Sequence, residues 1–388
     1  MPAQLSDLEL LSRLVAFDTT SHKSNREAAG FIASLLDRPG VRVTENPSAD
    51  GEKVNLVVEV GPQDDGSRRG LALSAHMDVV PAGEGWSHDP FALTDGGDRW
   101  FGRGTADMKG FLALAVGAAA REEAAGLSAP LVLLLSYDEE LGCLGAKRLA
   151  ETWPADRALP ASCIVGEPTS LKAVRLHKGH FKMRVTLYGV SAHSGYPHLG
   201  RNAIEPLGPV IAALSELRRE LESERPRHAG HFPETPFVAL NVARVWGGTA
   251  VNVVPDLATV ELGFRLLPEM EPGPIVRRVE EAVARAAAGE RYEIEALGGA
   301  PPMFLPEDAP IYRALCERIG QMQTRSASYG TDAGWLQKLG LGCVVFGPGT
   351  IEVAHKPDEW LPKAEFEAAS NHLQALIHRF CREPGGDG

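Results

Sequence analysis

Thiols are scarce in this chain: its 388 residues include five cysteines (Cys143, Cys163, Cys316, Cys343 and Cys381), and no two are spaced as CxxC or CxxxC. So small and odd a number, without paired spacing, argues against a disulfide framework and against a thiolate zinc site. It suits a reducing compartment, the cytoplasm. Positive charge is short as well, with 39 Lys and Arg against 51 Asp and Glu, a net charge of −12. Proteins that bind a phosphate backbone displace counterions with basic faces, so nucleic acid is disfavoured as a partner. Long apolar runs are missing: FLALAVGAAA (111–120) and LVLLL (131–135) are the most apolar windows. Both fall far short of the roughly 20 residues that span a bilayer, and no membrane anchor is expected. The opening MPAQLSDLELLSRLVAFDTT has Asp7 and Glu9 inside its apolar stretch, so it reads as a helix and not as a secretory signal. With 41 Gly and 28 Pro, under a fifth of the chain together, collagen-like and mostly disordered readings are excluded.

What is present is the pattern of a globular protein of two or three domains, at roughly 150 residues per domain. Leu5, Leu8, Leu11, Leu14 and Val15, then Ala29, Phe31, Ile32, Leu35 and Leu36, recur at helical spacing. VNLVVEV, LALSAHMDVV, LVLLLSYDEE and SCIVGEPT read as strands alternating with helices, which predicts an α/β domain with a largely parallel sheet covered on both faces. From about Lys178 the texture changes to apolar–polar alternation, in the order β-α-β-β-α-β. That is the signature of a small α+β domain with one antiparallel sheet. After MFLPED the first texture resumes, with CVVFGPG as a buried strand and AEFEAASNHLQALIHRF as a closing helix. The expected division is therefore 1–177 and 301–388 for the α/β domain, with 178–300 inserted.

Carboxylates and imidazoles fall repeatedly at the carboxyl ends of the expected strands, the rim where open α/β sheets place their sites. His76 and Asp78 end one strand, Asp107 follows in GRGTADMKG, Glu139 and Glu140 end another, and Glu167 ends a fourth. Singly, each is more often a cap or a loop hydrogen-bonder; together they can build a site. Oxygen and nitrogen donors without thiolate suit zinc, cobalt or manganese, and an Asp bridging two ions is a natural centre for such a site. His76 and Asp78 are two apart on a strand and share a face, so the carboxylate can hold the imidazole in its metal-binding tautomer. Glu139 and Glu140 are adjacent and diverge. One can coordinate a metal while the other acts as general base.

LSAHMDVVP, GRGTADMKG, DEELG, VGEPTS and FGPGTIEVAHKPDEW resemble the five metal-site segments of the dinuclear zinc aminoacylase and carboxypeptidase family, peptidase family M20. The resemblance covers nearly the whole chain. VGEPTSLKAVRLHKGH, SAHSG and the helix ending HRFC are most similar to its acetylornithine-deacetylating members. It implies two divalent ions per subunit, zinc or cobalt: one held by His76, Asp107 and Glu167, the other by Asp107, Glu140 and His355, with Asp107 bridging. It also implies that Asp78 orients His76 and that Glu139 is the general base. The inserted domain would join two subunits in a homodimer and bring His193 to the partner's site as an oxyanion donor. Asn252 and Arg265 match positions that bind the α-carboxylate of an N-acyl amino acid.

Three further features bear on substrate. Gly347-Pro348-Gly349 reads either as a tight turn or as a backbone-amide cradle for a carboxylate. SYGTDAGW departs from the NYCTEAPF of the acetylornithine branch, with Gly330 in place of Cys and Asp332 in place of Glu, a shorter acid that could still meet an amine. AVNVVPD is closer to the broader family. The expected reaction is deacetylation of N2-acetyl-L-ornithine. Succinyl-diaminopimelate desuccinylase and a broader N-acyl-amino-acid deacylase are the alternatives within the enzyme class. A metal-free amino-acid or peptide binder is a remote one, since no ligand position is lost.

Overall fold

In the computed structural model, which describes residues 5–63 and 66–383, four strands lie side by side and parallel: Leu131–Ser136, Leu71–His76, Ser162–Val165 and Gly342–Val345. Leu71–His76 and Leu131–Ser136 are buried along their whole length, the behaviour of strands covered on both faces. The parallel pairing stops at the flanks. Val54–Val60 runs antiparallel to Leu131–Ser136, Val41–Pro47 is antiparallel to Val54–Val60, and Val174–His177 is antiparallel to Gly342–Val345. The edge strand Val41–Pro47 has no fully buried residue, so no apolar pattern announces it.

The helix Gly110–Arg121 is buried from Gly110 to Ala119, so it runs through the core instead of lying on it. Its neighbours are the helices Asp7–Ala16 and Lys363–Ile377. Asp7–Ala16 starts with a capping box: the Glu9 amide donates to Ser6 Oγ, and Glu9 Oε2 accepts from the Ser6 amide. Leu10, Leu14, Leu112, Leu133, Val344 and Leu373 belong to one continuous hydrophobic cluster with these elements. Among the described residues no helix is long and apolar enough to cross a membrane.

The chain divides into two compact units, the smaller made of His177–Pro302 and Ser326–Gly330. In it an antiparallel sheet runs Ala239–Gly247, Leu257–Leu266, Gly179–Tyr188, Arg291–Ala300. Helix Leu207–Ser223 packs on it and buries Val210, Leu214 and Leu217, and helix Gly273–Ala286 packs beside that helix and buries Ile275, Val279 and Val283. The short return Ser326–Gly330 was expected in the larger domain. It belongs here because the Lys178 amide donates to Ala327 O (3.1 Å) and Ser326 Oγ donates to His231 O. These non-local bonds leave no local pattern.

Gly166, which follows the strand Ser162–Val165 and precedes Glu167, shows how closely the larger unit is packed. A Cβ there would lie 1.9 Å from Phe111 Cδ1 in the first turn of the buried helix. Gly166→Ala must displace either the ring or the strand end. It is expected to lower stability by about 1–3 kcal/mol, the usual cost of overpacking a core, read as a lower urea midpoint at unchanged slope.

Candidate metal centre

The parallel strands bring their carboxyl ends to one rim, and the acidic residues follow from that. His76 is the last residue of its strand, Glu167 lies two residues beyond Val165, and Glu139 and Glu140 stand in the loop after Ser136. Asp107 sits in the irregular Thr105–Lys109 turn that leads into the buried helix, next to a cis peptide bond to Met108.

The side chains converge on Asp107. His76 Nε2 is 3.1 Å from Asp107 Oδ1 and 3.9 Å from Glu167 Oε2. His355 Nε2 is 3.2 Å from Asp107 Oδ2 and 3.0 Å from Glu140 Oε2. Asp107 thus turns one oxygen to each of two clusters, His76–Asp107–Glu167 and Asp107–Glu140–His355. Glu139 belongs to neither. It stands with Cys143 and Asp332, and the Cys143 thiol is 3.4 Å from its Oε1.

Asp78 acts differently from expectation. His76 Nδ1 is 2.9 Å from the Asp78 backbone carbonyl, which accepts the Nδ1 proton and so aims Nε2 at the two carboxylates. The Asp78 carboxylate is 3.6 Å from that ring and accepts instead from Ser21 Oγ (2.8 Å) and from the amides of Glu139 (3.1 Å) and Glu140 (3.3 Å). It holds the loop that carries the two glutamates.

Five carboxylates (Asp78, Asp107, Glu139, Glu140 and Glu167) crowd around two imidazoles in a largely buried space. Burial and neighbouring negative charge push Glu139 and Glu167 well above the ordinary carboxylate range. Burial opposes ionisation of Asp107 too, but the flanking His355 and His76 hold it below its usual value. Hydrogen bonds to Asp107 and Glu140 raise His355 to about 10. Such a concentration of negative charge calls for cations. Two donors each about 2.0–2.2 Å from a tetrahedral ion stand about 3.4 Å apart, and the separations here bracket that value. The imidazole and carboxylate donor set suits divalent zinc or cobalt.

The match to known proteins runs along nearly the whole chain. The family model described as peptidase family M20/M25/M40 matches residues 72–379. The chain belongs to peptidase family M20/M25/M40. With its ligand clusters, it is a metallohydrolase of that family. An acetylornithine deacetylase of Edwardsiella ictaluri is 35% identical over 373 residues, 95% of this chain and 94% of that protein. The Myxococcus xanthus acetylornithine deacetylase is 34% identical over 382 residues, 96% of each. In fold, this M20 chain is similar to the M20 family metallo-carboxypeptidase Sso-CP2 of Sulfolobus solfataricus, with a TM-score of 0.74 and 20% identity, covering 96% of this chain and 98% of that one. The Bacillus subtilis YXEP protein, a dinuclear metal binding peptidase, gives a TM-score of 0.67 at 18% identity, covering 96% of each.

The remaining candidates of this M20 chain fall in three places. Gly347 and Gly349 do not form an amide cradle: the Gly347 amide donates to Thr169 Oγ1 (3.2 Å) and the Gly349 amide to Glu365 Oε2 (2.8 Å). With Pro348 between them lacking an N–H, the segment is a tight turn with no free donor at these positions. Asp332, expected to meet a substrate amine, is 2% exposed, accepts from Ser136 Oγ and stands together with Glu139 and Cys143. Arg265, Asn252 and His193 lie in the smaller unit. Arg265 is on Leu257–Leu266 directly opposite His180, and among the described residues no carboxylate pairs with it. Asn252 is exposed in the turn before Val253, its carbonyl accepting from the Ser194 amide (2.9 Å). His193 is exposed, and its Nδ1 accepts from the Gly195 amide (3.0 Å), which leaves Nε2 as the protonated nitrogen.

Sequence reasoning passed over Glu359 and Arg103. They form a buried ion pair, Arg103 Nη1 to Glu359 Oε2 at 2.7 Å, each 1% exposed. Both stand inside the quoted segments GRGTADMKG and AHKPDEW, and an Arg and a Glu in two segments already expected to meet was the available signal.

Because its two carboxylate neighbours keep His355 protonated up to about pH 10 in the metal-free protein, an ion can bind only by displacing that proton. Metal affinity should therefore rise with pH between 6 and 9. Loading the apo protein should release protons, measured by titration calorimetry in buffers of different ionisation enthalpy; a pH-independent affinity would contradict the geometry of the second cluster.

Proposed function

We propose that this protein is a two-ion amidohydrolase that converts N2-acetyl-L-ornithine and water into L-ornithine and acetate, a cytoplasmic step of arginine biosynthesis. The observation that carries the reading is the pair of ligand clusters sharing Asp107, with Glu139 part of neither but within electrostatic reach of Glu167 and His76 of one and Glu140 of the other. The named activity of the full-length relatives supports the substrate. Zinc or cobalt ions held by His76, Asp107, Glu167, Glu140 and His355 would polarise the scissile carbonyl and acidify water. Glu139 takes a proton from the attacking water as its oxygen bonds to the carbonyl carbon, and gives that proton to the nitrogen as the C–N bond breaks. Burial of Glu139 and its negative neighbours favour the protonated form it must reach after the first transfer.

Arg265 and Asn252 hold the substrate α-carboxylate, a role supported by a partly desolvated guanidinium without a carboxylate partner among the described residues. His193 donates from Nε2 to the developing oxyanion of the partner subunit's site in a homodimer. An exposed edge strand, Ala239–Gly247, with Val245 and Trp246 open to solvent, supports pairing of two copies through the smaller unit.

A panel of acetylated and succinylated amino acids tests the reading. N2-acetyl-L-ornithine should have a kcat/KM about 100-fold or more above that of N-succinyl-diaminopimelate, as the activity named for the full-length relatives leads one to expect. The reverse order would make the protein a desuccinylase. Glu139→Gln should lower kcat by roughly 10²–10⁴-fold while retaining bound metal, as loss of a general base does. Loss of an ion in that variant would exchange the roles of Glu139 and Glu140.

A further inference from the structure

We infer that Glu359, which contacts no ligand side chain, sets the position of the bridging carboxylate, so that both ion sites depend on it together. The inference rests on the two-ion reading above. Each oxygen of Glu359 is fully used by donors from the segment that carries Asp107. Oε1 accepts from the amides of Ala106 (2.9 Å) and Asp107 (3.0 Å). Oε2 accepts from the Gly104 amide (3.0 Å) and Arg103 Nη1 (2.7 Å). With two donors on each oxygen, the carboxylate has no capacity left to coordinate an ion. It works on backbone.

The backbone it holds cannot hold itself. Asp107 and Met108 have non-helical φ/ψ inside the Thr105–Lys109 turn, so their amides are not secured by a regular helix. Arg103 is fixed in turn by the carbonyl of Ala82 (3.1 Å) and by the Trp86 ring beneath its guanidinium, so the pair is anchored at both ends.

Glu359 also belongs to the loop that supplies His355, four residues earlier. That loop is irregular, with His355 at φ 63 and Asp358 at φ 54, left-handed values that few non-glycine residues adopt. Three contacts tie it down at its far end: Asp358 Oδ1 accepts from the Ser87 amide (2.8 Å), Glu359 O accepts from the Gly102 amide (3.0 Å), and Trp360–Pro362 pairs with Arg99–Phe101. One side chain therefore fastens the segment of the shared ligand to the segment of a ligand of the second cluster. Asp107 serves both clusters, so a shift there changes both. A shift of Glu140 or Glu167 changes one.

The test uses the full-length protein, stripped and reloaded with Co²⁺, with affinities read by competition against a chromophoric chelator. Glu359→Asp keeps the charge that pairs with Arg103 but withdraws the carboxylate by one methylene. It is expected to weaken both ions by about 10–100-fold, as loss of an outer-shell partner does, and to diminish the magnetic coupling between the two cobalt ions. Glu359→Gln should do the same more strongly, with a lower melting temperature from the unpaired buried Arg103. Glu140→Gln should weaken a single ion. Glu359 variants that lose thermal stability yet keep wild-type affinity and coupling at both ions would overturn the inference and leave Glu359 a structural residue. A wild type that binds one ion would overturn the two-ion reading instead, and the comparison of Glu359→Asp with wild type would then be read at that ion.

Discussion

Mutual repulsion among buried carboxylates is the constraint around which the larger unit is organised. Asp78, Asp107, Glu139, Glu140 and Glu167 share a rim at the carboxyl ends of parallel strands, where water is too sparse to screen them. Left to itself, such a group neutralises by taking up protons, and the raised positions of Glu139 and Glu167 show that tendency. The proposed two-ion reaction, with Glu139 as an ionised base, needs the opposite. The fold therefore has to hold the groups close while cations supply the missing charge.

It does so with hydrogen bonds from backbone. Asp78 takes the amides of Glu139 and Glu140, so one carboxylate positions two others through their main chain. Glu359 takes the amides of Gly104, Ala106 and Asp107. Glu359 uses its lone pairs on N–H donors, Asp78 on two amides and the Ser21 hydroxyl, and each holds the backbone that carries a neighbouring acid. The amide donors stabilise the ionised form of each anchoring acid, and at Glu359 the Arg103 guanidinium adds a cation on the same carboxylate. The arrangement also explains why acids that do not coordinate are as deeply buried as those that do.

Much of this was legible in the sequence. Continuous apolar runs such as LALSA and LVLLL could only be strands covered on both faces, and the acids that follow them had to emerge on one rim. His355 came only from the resemblance of FGPGTIEVAHKPDEW to the family's last metal segment, for its loop has no periodicity. Several features were illegible for a common reason: they depend on which backbone groups are already satisfied. Whether Asp78 meets His76 by its carboxylate or its carbonyl, and whether Gly347 and Gly349 have amides to spare, is decided by Ser21, Thr169 and Glu365, distant in sequence and silent in pattern. Ser326–Gly330 joins the smaller unit on the same kind of bond.

Gly347 has a use that the cradle reading overlooked. A Cβ there would fall 2.4 Å from Gly166 O and 2.6 Å from Glu167 O, so the turn after Gly342–Val345 lies directly on the backbone that presents Glu167. The Thr169 and Leu171 amides complete the contact by donating to Gly347 O. The turn after Phe346 is therefore locked to the segment of a first-cluster ligand, and the same turn leads, through Gly349 and Thr350, to the loop of His355 in the second cluster. Small residues are required where strand ends must converge to within a few ångströms, and convergence is what a bridging Asp107 demands of the loops on either side of it. The glycine turn thus lets two segments of the proposed ligand set touch, with the Gly347 amide spent on Thr169 in that contact and the Gly349 amide spent on Glu365 of the helix Lys363–Ile377.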